Sequence, residues 1–447
     1  MARRGTVAEV HLWGAPIGAV SWDADRELGA FEYTQAFQQS GIQVAPLTLP
    51  LSPRIYEFPQ LARASFHGLP GLLADSLPDK FGNAVINAWL ARTGRTAAEF
   101  SPVDRLLYIG TRAMGALEFH PARVRREGAH PIDVAELVGL ASRILTQREH
   151  FHADLAHDGD ERRHAMNDIL QVGVSAGGAR AKAIVAWNPE TNEVRSGQIP
   201  APGGFGYWLL KFDGVAHNRD RDILSDPQGY GLIEYAYHHM ARAAGIEMTE
   251  CRLLAENGRH HFMTKRFDRT DSGDRLHMLS LSGIAHLDFN QAGAHGYEQA
   301  FQVIERLGLG KDAIEEQFRR MVFNVAARNQ DDHTKNIAFL MDRRGRWSLS
   351  PAFDLNFAYN PNGQWTRRHQ MSVNGKRENI TRDDLLTVAD RFRITLPRAN
   401  KFVDQVADAV ARWPEFAKGA GIDAQRIDEI KKLHRNLRKG TDATGAR

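Results

Sequence analysis

Short stretches of alternating apolar and polar residues open the chain: TVAEVHL, IGAVSWD and ELGAFEYT, within residues 6–34, are separated by Gly, Pro and Asp. Side chains on a strand point to opposite faces in turn, so this pattern predicts an antiparallel meander. FGNAVINAWLART and PVDRLLYIG then carry helical periodicity, and GALEFHPA reads as a strand closing a small α+β unit near residue 122. The charged segment RVRREGAHPID, with its Gly and Pro, reads as a linker.

Beyond the linker, VAELVGLASRILTQ and ERRHAMNDILQ are helical by period. GVSAGGARAKAIVAW joins a small-residue loop to a strand, and YWLLKFD, ECRLLAE and HHFMTKRFD supply further strands. Between them GLIEYAYHHMARAAG is an amphipathic helix, with Gly245 as its stop. The pattern predicts a mostly antiparallel sheet crossed by one helix. After Asp268 the chain turns chiefly helical, notably in EEQFRRMVFNVAARN and LPRANKFVDQVADAVARW. The expected fold is α+β. It has an N-terminal α+β subdomain over 1–122, a strand-rich lobe over 123–268 and a helix-rich lobe over 269–447, with a cleft between the lobes.

Composition narrows the class. The chain has 447 residues, 43% of them hydrophobic and 25% charged, and exceeds the usual limit for a single core. No run approaches the roughly 20 apolar residues that span a bilayer, and MARRGTVAEVHLW lacks the apolar block of a signal peptide. The lone cysteine, Cys251, rules out an internal disulfide framework and fits a reducing cytoplasm. A formal charge of +3 is too small to argue for nucleic acid. The basic segment RIDEIKKLHRNLRKG, with Lys431, Lys432, Arg435, Arg438 and Lys439, reads as a solvated terminal helix in preference to a phosphate-contacting face.

Chemistry concentrates at residues 329–339, NQDDHTKNIAF. Asp331 and Asn336 stand five positions apart, on an expected loop between a helix and the strand IAFLM. A carboxylate that accepts a hydroxyl proton, followed by an amide oxygen that can hold Mg²⁺, is the arrangement of kinase catalytic loops. Taken alone it reads better as a solvated loop with local Asp side-chain caps. Asp354, in LSPAFDLNFAYN, is an acid among aromatics and needs a hydrogen bond, a cation or a metal; with Asn336 upstream, a Mg²⁺ ligand is the preferred reading. Lys211 in YWLLKFD is able to reach nucleotide phosphates or to snorkel from a sheet edge. Its order decides: lysine on an early strand, then D-x-x-x-x-N, then Asp, is kinase order. VSAGGARAKA offers small residues for close approach to phosphate, with Ser175, Arg180 and Lys182 beside them, but it matches no established phosphate-loop pattern. The histidines of EHFHADLAHDGDERRH fit no metal motif, and Asp75 and Asp79 in DSLPD read as a capped turn.

Together these segments, with LLADSLPDKFGN, DRLLYIGTRAMGALEFHP and TKRFDR, resemble the HipA family of bacterial serine/threonine kinases, the toxin halves of toxin–antitoxin pairs. The resemblance implies a two-lobed protein-kinase-like fold that uses ATP and Mg²⁺. It makes Asp331 the catalytic base with His333 beside the nucleotide, and gives Mg²⁺ to Asn336 and Asp354. It assigns Lys211, Lys182 and the loop residues Ser175, Ala176, Gly177 and Gly178 to ATP, with Lys265 and Phe267 near the adenine. Ser175 matches the family's autophosphorylated serine. The implied partners are a small helix-turn-helix, HipB-like antitoxin, operator DNA mainly through that antitoxin, and a protein substrate of the translation machinery such as an aminoacyl-tRNA synthetase. Asp332 stands where some members have glycine, so metal assistance and plain solvation both fit it. Other functions to weigh are a small-molecule or lipid kinase and a non-catalytic partner of a DNA-binding repressor.

Overall fold

The computed structural model describes residues 6–92, 94–122, 131–146, 169, 180–199, 201–215, 229–270 and 272–438. Four antiparallel strands form the N-terminal sheet: β1 (Val7–Leu12), β2 (Ala15–Asp23), β3 (Leu28–Tyr33) and β4 (Leu117–His120), in the order β3-β2-β1-β4. The expected meander is therefore present, with β4 returning to pair with β1. On β1, Ala8, Val10 and Leu12 are buried while Val7 and Glu9 are exposed, as alternation requires. Helix Pro102–Ile109 packs over β1, β2 and β4. Its start is encoded locally: Ser101 and Asp104 form a reciprocal capping box, and Pro102 occupies the first turn, where its missing N–H costs nothing.

The second sheet has five antiparallel strands: β5 (Lys182–Trp187), β6 (Val194–Ser196), β7 (Gly206–Lys211), β8 (Cys251–Glu256) and β9 (Arg259–Lys265), in the order β6-β5-β7-β9-β8. The expected crossing helix is Tyr230–Ala243, packed on β8 and β9 and followed by Gly245 at φ +80°. A three-stranded sheet, β10 (His277–Ser280), β11 (Ala338–Met341) and β12 (Trp347–Leu349), starts the second lobe. Helices Tyr297–Arg306, Gly310–Ala326, Arg382–Arg391, Leu396–Ala411, Trp413–Gly419 and Ala424–Leu433 complete it. The helix expected in ERRHAMNDILQ lies, apart from Ile169, outside the described residues, as do the histidines of EHFHADLAHDGDERRH.

The terminal helix is shorter than its charge pattern suggested. It stops at Leu433, and the Arg435 backbone N–H donates to the Ala326 carbonyl at 2.8 Å, drawing the chain back onto the lobe. Arg438 pairs with Asp408 at 2.8 Å. Lys431 and Lys432 are therefore on the helix, while Arg435 and Arg438 leave it, so these four do not share one helical face; Lys439 lies outside the described residues.

The N-terminal subdomain is docked firmly on the rest. Trp13 Nε1 donates to the Arg275 carbonyl at 2.8 Å, Trp347 Nε1 donates to the Gln43 carbonyl at 3.1 Å, and Asp75 accepts from the Ser280 backbone and hydroxyl at 2.6 and 2.7 Å. At the centre of this contact Asp268, fully buried, accepts from the Gly115 backbone at 2.6 Å and pairs with Arg266 and Arg269.

Candidate active site

The stretch 327–337 is held as a loop by bonds within its own backbone and by one side chain, Asn336. Helix Gly310–Ala326 ends where Arg328 turns to φ +56°, and the loop then curls back on itself. The His333 N–H donates to the Asp331 carbonyl at 3.0 Å, and the Asn336 N–H to the His333 carbonyl at 2.9 Å. The Asn336 amide Nδ2 also donates to the Asp331 carbonyl at 2.9 Å, which leaves the Oδ1 end of that side chain as its acceptor. A single 3₁₀ turn, Thr334–Asn336, then leads into β11.

Asp331 and Asp332 are neighbours with different environments. Asp331 is partly exposed; its Oδ1 accepts the Trp365 indole N–H at 2.6 Å and lies 3.8 Å from His333 Nε2. Asp332 is buried: its Oδ2 takes bonds from Tyr297 Oη and His369 Nδ1, both at 2.8 Å, and its Oδ1 accepts the Gln370 N–H at 2.7 Å. The second acid is thus neither solvated nor part of the cavity wall. It anchors residues 369–370 beneath the loop.

Across the cleft, Lys211 Nζ lies 2.5 Å from both Glu234 and Asp354. Burial works against the lysine's charge, but the two carboxylates hold it well above the ordinary lysine range. Burial likewise opposes ionisation of Asp354, yet Lys211 brings it down to about 2. Burial pushes Glu234 up, against the pull of Lys211. Asp354 sits at φ +57°, a left-handed position that turns its carboxylate out of the extended run around it.

Lys182 faces Lys211 directly across the β5–β7 ladder, and it is only 4% exposed. Its charge is matched by Asp79 at 3.1 Å, a carboxylate from the N-terminal subdomain whose affinity for a proton burial raises and Lys182 opposes. Asp79 also accepts the Gly82 N–H at 2.6 Å, so the expected capped turn is real and carries a second task. Close by, Lys335 lies 3.7 Å from Asp75 and 4.8 Å from the centre of the Phe289 ring.

One cavity of about 580 Å³ gathers Lys182, Lys211, Asp331, His333 and Asp354 in its wall, together with Asp79, Glu234 and Trp365. Asn336 adjoins it through the loop without lining it. Lys265 and Phe267 are not in the wall: Lys265 lies on β9, opposite Trp208, and Phe267 packs on Phe353, 5.5 Å between ring centres, next to Asp354. Ser175, Ala176, Gly177 and Gly178 lie outside the described residues. Sequence reasoning missed Glu234, although an acid among Ile233, Ala236, Tyr237 and Met240 on a buried helix face is a signal in itself. Trp365 carries no such mark.

A twisted antiparallel sheet set across a cleft from a helical lobe, with a lysine on the sheet answering a glutamate on its helix, defines a protein-kinase-like α+β fold. More narrowly, the chain belongs to the HipA family: residues 174–413 match the model of the HipA-like C-terminal domain and residues 8–120 that of the HipA N-terminal domain. Among curated relatives, Y4mE of Sinorhizobium fredii, a candidate kinase by its name, is 26% identical over 95% of this chain and 96% of its own length. Y4dM of the same organism, named likewise, is 27% identical over 52% of this chain and 58% of its own. Among solved structures, the Shewanella oneidensis complex of HipA, HipB and operator DNA contains a chain that superposes with a TM-score of 0.65, at 18% identity and 95% coverage of both chains.

Proposed function

We propose that the protein is an ATP- and Mg²⁺-dependent serine/threonine protein kinase, the toxin of a toxin–antitoxin pair. One observation carries this reading: Lys211, Asp331 and Asp354, from separate parts of the chain, border a single cavity. The donors suit the metal, since Asp354 keeps about 32% of its side chain exposed and the Asn336 amide oxygen remains available as an acceptor. Bound there through Asp354 and Asn336, Mg²⁺ would neutralise phosphate charge. Lys211 and Lys182 hold the phosphates by charge, and Asp331 orients the acceptor hydroxyl. As the hydroxyl oxygen bonds to the γ-phosphorus, the bond to the ADP oxygen breaks, and the hydroxyl proton passes to Asp331 and on to water.

The finer assignments rest on family resemblance. They are autophosphorylation at Ser175, a HipB-like antitoxin that carries the operator contact, and a translation component as substrate. Phosphate on Ser175 would add roughly two negative charges where ATP phosphates must lie, and so switch the kinase off. Phosphoproteomics after brief expression, comparing wild type with Asp331→Asn, tests the reading. We expect new phosphoserine or phosphothreonine on Ser175 and on a translation protein only with the wild type; identical phosphopeptide sets from both forms would refute it.

A further inference from the structure

Two consecutive acids of the catalytic loop grip one distant segment. Asp331 accepts the Trp365 indole N–H at 2.6 Å, while Asp332 takes the His369 ring and the Gln370 backbone, at 2.8 and 2.7 Å. The Gln370 side chain closes the circuit by donating to the Trp365 carbonyl and, at 3.1 Å, to the Arg368 carbonyl. Asn324, on the helix before the loop, donates to Tyr297 Oη at 2.8 Å, and that hydroxyl in turn donates to Asp332. Residues 365–370 are therefore pinned at their root by buried bonds and touch the loop at their tip with an indole. Nothing in packing alone requires a polar bond there. Trp365 is partly exposed in the cavity wall, 6.4 Å ring to ring from His333.

We propose that Trp365 is a positioning residue for phosphoryl transfer, holding Asp331 Oδ1 so that the plane of the base is set before the acceptor hydroxyl arrives. This rests on the kinase reading given above. A carboxylate turns about its last bond in a broad, two-fold well. One fixed oxygen therefore fixes the other. An indole N–H is suited to the task because it only donates and does not titrate near neutral pH, so it never competes for the proton that Asp331 must take. Setting the base in advance raises the fraction of encounters in reactive geometry, which acts on turnover and not on nucleotide affinity.

The test uses the full-length protein with MgATP and added casein, and counts ADP formed, so that transfer to the chain, to casein or to water is all recorded. Trp365→Phe keeps the ring and loses the donor; Trp365→Leu loses both. We expect both variants to lower kcat roughly tenfold, with the KM for ATP within about twofold of wild type and the melting temperature unchanged. A Phe variant with wild-type kcat overturns the inference, whether or not the Leu variant is impaired, because ring packing would then be the whole role. An equal loss in kcat/KM that comes from KM alone also overturns it; if the Phe variant misfolds, a Leu variant with wild-type kcat still overturns it. Absence of Asp331-dependent turnover in the wild type would instead count against the kinase reading itself.

Discussion

Lys211 shows how far a single residue could be read. Its place on the strand YWLLKFD and its order before Asp331 and Asp354 marked it, and it stands between two carboxylates at the cavity. Replacing it with methionine leaves Glu234 buried beside Asp354 without the cation that touches both, a change that in buried pairs costs about 3–5 kcal/mol. Lys211→Met should therefore abolish turnover and lower the urea midpoint clearly, whereas Lys211→Arg should keep the midpoint closer to wild type. Equal stability of all three proteins would show that the triad is not a buried ion pair. Asp332 was illegible by contrast, since its partners Tyr297, His369 and Gln370 come from segments that no local pattern links to it. Asp332→Ala strands a buried tyrosine hydroxyl and an imidazole. We expect a loss of about 3 kcal/mol by chemical denaturation; a loss below about 0.5 kcal/mol would contradict the network.

Secondary elements followed their local signals closely. The period-two alternation of β1, β2 and β3 and the glycine after the helix Tyr230–Ala243 were visible, because each is decided by neighbours in sequence. The end of the last helix was not visible, because the bond from Arg435 to Ala326 is a long-range one. The turn 75–79 shows the same limit: that it is capped was legible, its ion pair with Lys182 was not. Without Asp79, Lys182 would stay buried opposite Lys211 and lose the carboxylate that stands 3.1 Å from it. Asp79→Asn should raise the KM for ATP about tenfold while the protein stays folded by circular dichroism. An unchanged KM would mean that this turn only joins the domains.

At the scale of the whole molecule, the N-terminal subdomain and the kinase-like lobes meet at Asp268. Burial opposes its ionisation, yet Arg266 and Arg269 hold it well below the usual carboxylate range, aided by the Gly115 N–H. A depressed folded-state pKa stabilises the protein above the unfolded value near 3.9, and that contribution fades as pH falls toward the folded value. Asp268→Asn should thus cost more than about 3 kcal/mol at pH 7, and its gap from wild type should narrow steadily below about pH 4; a gap that is flat with pH would contradict the arrangement. The docking itself was hidden in sequence, since its bonds join distant segments and two of them end on backbone carbonyls, at Gln43 and Arg275, that carry no residue code. The most direct measurement of the central claim is turnover of labelled ATP by purified wild type and Asp331→Asn, with nucleotide binding measured in parallel by calorimetry. The account predicts that both bind MgATP with affinities within a few-fold, and that Asp331→Asn transfers label at least about a hundredfold more slowly. Equal transfer by the two proteins, or no binding by either, would contradict it.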